Sequence, residues 1–304
     1  MVYQMVLHEN PERTKKAIQR LLQWYKKRDG MFSGEGNPED LLPNGVQSGS
    51  YEHIMFITMC STIDYNRNAD ALWEAGRKTW ADESTRWVFF PSKVEQKTHE
   101  DLIKGLLEHD LSQKPNQDAQ YWHIVSLSFL ELFDGDPRNM FKKFDFDASE
   151  IRKYMRKKGT KVFPYLGGAT GLGKINAMWI RILRDEAGIN FKNCRLIPMP
   201  VDIHVMRATF AIGCLVGEHN GPSEKLKKMI VDAWKKVCEC TIDLDEALFN
   251  LSRKGCSNVK NGKCPKSNEC ELYPSFCVTA NPRCKLEVND KELHIDTSYP
   301  SDKI

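Results

Sequence analysis

The sequence predicts an all-α protein, and three observations predict it. Successive stretches repeat apolar residues at i, i+3, i+4 and i+7; clusters of Gly, Pro, Asn and Asp break them; and the regular alternation of strand and helix patterns that a doubly wound sheet needs is missing. The first stretch, PERTKKAIQRLLQWYKKR, carries Ile18, Leu21, Leu22 and Tyr25 on one stripe, with Lys15, Lys16, Arg20 and Lys27 on other faces, so it reads as an amphipathic basic helix. The Gly- and Pro-dense RDGMFSGEGNPEDLLPNG that follows reads as a loop.

From Tyr51 to about Arg195 the pattern stays helical through YEHIMFITMC, NADALWEAGRKTW, THEDLIKGLLEHDL, AQYWHIVSLSFLELF and ASEIRKYMRKK. The β-branched residues of HIVSLSFLELF also admit a strand there. After IPMPVD, where Pro198 and Pro200 favour an extended approach, HVMRATFAIG reads as a helix that Asp202 can cap. SEKLKKMIVDAWKKV follows, with Leu226, Ile230, Ala233 and Val237 on one stripe, and LDEALFNLSRKG stops at Gly255.

Composition narrows the functional classes. With 304 residues, 41% hydrophobic and 28% charged, the chain is ordinary globular material, which excludes intrinsic disorder and collagen-like repeats. No window approaches the roughly 18 to 20 apolar residues of a membrane span, and MVYQMVLHENPERTKKA lacks the apolar stretch of a secretory signal, so an intracellular protein (cytoplasm or nucleoid) without a membrane partner is expected. A net charge of +3 is too small to name a polyanionic partner by itself. Of ten cysteines, Cys256, Cys264, Cys270, Cys277 and Cys284 crowd near the C-terminus. In a reducing compartment such a cluster reads as metal or iron–sulfur ligation before it reads as disulfides.

Two further features carry chemistry. In GLGKINAMWIRIL, Gly171 and Gly173 immediately precede a helix with Ile175, Met178, Trp179 and Ile182 on its apolar stripe. A glycine turn at a helix N-terminus exposes unpaired amides where the helix dipole favours negative charge, so it is either a phosphate site, with Lys174 adding charge, or a plain turn between packed helices. Asp202 has two readings as well. It is an N-cap, or a carboxylate held at a helix start that stabilises a developing cation and orients water.

GLGKINA, then PVDIHVMR, then a four-cysteine loop, occurring in that order, resemble the helix-hairpin-helix DNA glycosylases of the endonuclease III type over about Tyr51 to Cys277. The resemblance implies a bipartite helix-hairpin-helix architecture with an iron–sulfur cluster loop. A central helical domain, 51–195, would end in the hairpin, and a second domain would combine 1–50 with 196–304, with the DNA groove between them. It implies that Gly171, Gly173 and Lys174 contact the DNA backbone, that Asp202 is catalytic, and that Cys256, Cys264, Cys270 and Cys277 hold a 4Fe–4S cluster. The implied function is base-excision repair: a monomeric N-glycosylase acting on a flipped damaged or mismatched base in double-stranded DNA.

The sequence also departs from the family's pattern. Lyase-active members carry a lysine where this chain has Ile175, which points to a monofunctional enzyme; the alternatives are a bifunctional glycosylase/lyase using a lysine Schiff base, and a non-catalytic iron–sulfur DNA-binding protein. Twenty-six residues separate Ile175 from Asp202, a longer connection than usual in the family. Ser61 or Thr62 falls where many members insert a glutamine into DNA.

The cysteine gaps are seven, five and six residues, without the short C-x2-C to C-x4-C pairs of most zinc sites, so spacing favours a cubane cluster over zinc. Cys284 is a possible substitute ligand. Lys266, Arg283 and Lys285 make the loop basic, which suits phosphate contact or a solvated charged loop. Trp122, His123, Tyr165 and Trp179 are candidate walls of a base pocket, with core packing as the alternative reading.

Overall fold

A computed structural model describes residues 6–34, 36–260, 263–278, 285–288 and 292–296. In chain order its strands and α-helices are β1 (Val6–Glu9), α1 (Pro11–Lys27), α2 (Tyr51–Thr62), α3 (Ala69–Ala81), α4 (Pro91–Val94), α5 (His99–Leu107), α6 (Pro115–Phe133), α7 (Pro137–Lys143), α8 (Ala148–Lys158), α9 (Lys174–Asp185), α10 (Ile203–Ala211), β2 (Leu215–Pro222), α11 (Ser223–Lys235), α12 (Asp245–Lys254), β3 (Lys285–Val288) and β4 (Glu292–Asp296). The protein is mostly helical, and it divides into two compact units, 36–197 and 1–35 with 198–304.

In the unit 36–197, α2 is the central element. Ile54, Met55, Phe56, Ile57, Thr58, Met59 and Cys60 are all buried, so the helix is covered on every side. Helix α3 lies close to α2 because Gly76 has no side chain: a Cβ there would come within 2.8 Å of Cys60 Sγ. Helix starts follow cap chemistry. Ser50, Asn68, Asp136 and Asp147 accept from the amides of His53, Ala71, Arg138 and Ser149, and Thr98 with Asp101 forms a reciprocal box. The ambiguous HIVSLSFLELF is helical, as part of α6. The unit reaches back to Gly36, ahead of the first predicted helix at Tyr51, and the buried Glu39 bonds Arg181 of α9 at 2.6 Å.

In the other unit, α1 buries Ala17, Ile18, Leu21, Trp24 and Tyr25. The Tyr25 hydroxyl accepts from Asn250 Nδ2 of α12 at 3.2 Å, and the indole of Trp234 on α11 donates to Thr209 Oγ1 of α10 at 3.0 Å.

This unit also contains a departure from the all-α expectation, an antiparallel sheet in the order β1-β2-β4-β3. Its registers run Val6↔Glu218 to Glu9↔Leu215, Glu218↔Asp296 to Pro222↔Glu292, and Lys285↔Asp296 to Val288↔Leu293. Strands β1, β3 and β4 are four or five residues long, β2 carries Gly217, Gly221 and Pro222 in place of an alternating apolar pattern, and β1 pairs with a segment far away in the chain, so local periodicity does not report them.

Candidate functional site

The hairpin belongs to the unit 36–197. Gly168, Gly171 and Gly173 adopt left-handed backbone conformations, with φ of +59°, +51° and +65°, which glycine enters without steric cost. Gly173 is the residue before α9, and its carbonyl accepts the first helical bond, from Ala177. Lys174 is exposed at the first position of the helix, while Ile175, Trp179 and Ile182 are buried as their stripe predicts. The loop before α9 is tied down from within: the buried Asn176 donates to the Leu166 carbonyl at 3.1 Å.

Two arginines of α8, which the sequence analysis does not single out, also reach this loop. Arg152 donates to the Leu172 carbonyl, and Arg156 donates to the carbonyls of Gly168 and, at 3.1 Å, Gly171. The signal for them in IRKYMRKK is their i, i+4 spacing, which a surface charge run shares.

Asp202 belongs to the other unit and caps α10. Its backbone is extended (φ −110°, ψ −172°), and Oδ1 accepts from the Val205 amide at 2.8 Å. Among the described residues Oδ2 makes no hydrogen bond or ion pair. The cap therefore occupies one oxygen and orients the carboxylate while the other oxygen stays available. Around it, Arg207 is half-buried, and burial lowers its pKa while the negative charge of Asp202 opposes that shift. His204 approaches Ser252 Oγ at 3.3 Å and meets the Phe249 ring edge-on at 5.0 Å.

Cys256, Cys264, Cys270 and Cys277 lie in the same unit and are free thiols. Cys256 begins the turn after α12. Burial pushes its thiol well up, and the charges of Cys277, Cys270 and Cys264 add to the rise, so the four sulfurs share one neighbourhood. Main-chain amides point at these sulfurs, that of Lys266 at Cys264 and those of Leu272 and Tyr273 at Cys270.

These four thiols are the residues that would hold a metal ion or an iron–sulfur cluster, and N–H contacts of this kind tune thiolate ligands of either. They fit a zinc ion less well. Tetrahedral zinc with bonds of about 2.3 Å brings its sulfurs to about 3.8 Å from one another, whereas among the described residues no three of these sulfurs lie within 4.8 Å of one another. Cys284 and Arg283 lie outside the described residues.

The loop's two acids are neutralised, Glu269 by Lys266 at 2.8 Å and Glu271 by Arg20 at 2.7 Å. Close to Cys256 stands a cationic group that the sequence reading missed. Lys254 has its pKa lowered by burial and then by the charges of Arg253 and Arg28, residues brought together from the ends of α12 and α1.

Of the candidate pocket walls, Trp122 and Trp179 are core residues, their indoles donating to the Val88 carbonyl at 2.7 Å and to Thr58 Oγ1 at 3.0 Å. His123 is partly exposed. Tyr165 is 38% exposed and stacks on Tyr65 at 4.1 Å.

No protein-family model and no curated protein matches the chain. No helix among the described residues is long and apolar enough to cross a membrane.

Proposed function

We propose that the chain is a monofunctional DNA glycosylase that hydrolyses the N-glycosidic bond of a damaged or mismatched base extruded from double-stranded DNA. The observation that carries this reading is the state of Asp202, whose Oδ1 is spent on a helix cap while Oδ2 stays unbonded among the described residues. Breaking the bond between base and sugar builds positive charge on the deoxyribose, and a fixed carboxylate stabilises that charge and orients the attacking water without reorganising. Extruding the base costs a few kcal/mol of unstacking, least for weakly paired bases, so the cost itself favours lesions.

The Gly171 amide and the first-turn amides of α9 offer donors to a phosphate, whereas the amides of Gly168 and Gly173 are bonded to the Tyr165 and Thr170 carbonyls, and the exposed Lys157, Lys158, Lys161 and Lys174 add positive charge along the same stretch of chain. Ile175, buried and apolar, has no amine for a Schiff base, which favours hydrolysis over lyase chemistry. Cys256, Cys264, Cys270 and Cys277 would hold the 4Fe–4S cluster, which supplies a four-point anchor for a basic loop and takes no part in the bond cleavage. Arg28, Arg253 and Lys254 beside it suit contact with phosphates.

The test is release of free base from duplexes carrying uracil, thymine mismatches, oxidised guanine or alkylated purines. A protein that only binds DNA leaves every base attached. Two mutants test the parts. Lys174→Ala is expected to weaken DNA binding a few-fold and to lower the slope of log affinity against log salt by about one, with excision of bound substrate retained and no borohydride-trapped adduct from either protein. Anaerobically purified protein is expected to be brown with about four irons per chain, and Cys277→Ser to lose the colour. Stoichiometric zinc without iron contradicts the assignment.

A further inference from the structure

Arg152 and Arg156 lie one turn apart on α8, and every hydrogen bond that either makes among the described residues goes to a hairpin carbonyl: Leu172 for Arg152, Gly168 and Gly171 for Arg156. Neither has a carboxylate partner among those residues. The fit is close at the second hairpin glycine, where a Cβ on Gly173 would stand 2.3 Å from Arg156 Nη1 and 2.8 Å from the Gly168 carbonyl oxygen. Gly173 is thus needed for space as well as for its positive φ.

Peptide geometry gives this arrangement its consequence. In a planar trans peptide the carbonyl of one residue and the N–H of the next point in opposite directions. Holding the carbonyls of Gly168, Gly171 and Leu172 on the guanidiniums therefore turns the amides of Ala169, Leu172 and Gly173 away from α8. The Gly173 amide is consumed by the Thr170 carbonyl at 3.0 Å. Those of Ala169 and Leu172 make no hydrogen bond among the described residues.

We propose that Arg152 and Arg156 are positioning residues of the hairpin, a carbonyl clamp that fixes the amides of Ala169 and Leu172 outward for a phosphodiester of the DNA backbone. The inference rests on the glycosylase reading for its ligand and on the hydrogen bonds alone for the clamp. Desolvation and the neighbouring charge of Arg156 push the Arg152 guanidinium down to about 10, as expected for two cations gathered without an acid between them.

Arg156→Lys tests the clamp, because it keeps the charge while a single ammonium lacks the planar fork that spans two carbonyls. DNA affinity is expected to fall about tenfold, the loss of hydrogen bonds that only an ordered loop makes. The salt slope and single-turnover excision at saturating protein are expected to stay unchanged. Amide hydrogen exchange across residues 168–173 is expected to quicken in the free protein, with exchange in α2 and α6 unaltered. Unchanged DNA affinity together with unchanged exchange across 168–173 in this charge-conserving variant means that Arg156 supplies charge alone, and it overturns the positioning role. Wild-type protein that binds no DNA removes the glycosylase reading. The exchange measurement still decides the clamp in that case, because unchanged exchange across 168–173 overturns it with or without DNA binding.

Discussion

Asp202→Asn is expected to lower base excision by about two orders of magnitude or more while leaving thermal stability and DNA affinity nearly unchanged. The amide oxygen of asparagine accepts from the Val205 N–H as Oδ1 of Asp202 does, and Asn caps helices about as well as Asp, so α10 keeps its start. What disappears is the negative charge opposite the developing sugar cation. Single-turnover kinetics isolates this loss because it removes binding and product release from the rate. A carboxylate that serves only as a cap gives an Asn variant with full activity.

Glu39→Ala is expected to destabilise the protein by about 3–5 kcal/mol, the second large effect, and it lies far from any proposed chemistry in kind. The pair it breaks is almost wholly out of water, with side-chain exposures of 4% for Arg181 and 9% for Glu39. Removing the carboxylate takes from a buried guanidinium the counter-charge that lies 2.6 Å from it and sets an apolar side chain there instead. Replacing both residues together, as Glu39→Leu with Arg181→Met, is expected to recover most of the loss, because apolar residues of similar volume do not pay for burying a charge. Equilibrium urea unfolding of the two variants measures both numbers. A single variant as stable as the wild type contradicts the burial of this pair.

The helices were legible because their signals are local. The stripe of α9, the stop of α12 at Gly255 and the cap at Asp202 are each written within a few residues of where they act. The left-handed turns at Gly171 and Gly173 were legible for the same reason, since the residue type alone permits them. The features that escaped the sequence reading all depend on partners distant in the chain. Strand β1 is four residues whose register is set by β2. Glu39 sits in a segment that reads as loop, and only Arg181, far along the chain, makes it a buried ion.

Arg152 and Arg156 look like any solvated charge run until the hairpin carbonyls are brought against them. The group formed by Arg28, Arg253 and Lys254 likewise exists only after α1 and α12 meet. Long polar side chains report their surroundings poorly in sequence because the same residue serves a solvated surface and a paired interior equally well.

The most direct test of the account is the fate of a single lesion-bearing strand. Duplexes carrying uracil, thymine mismatches, oxidised guanine and alkylated purines are incubated with excess protein, and the strand is analysed before and after alkali. At least one duplex is expected to release free base and to yield a strand that stays unbroken until alkali cleaves it at the abasic site. Retention of every base by every duplex, with protein bound to them, contradicts the glycosylase reading.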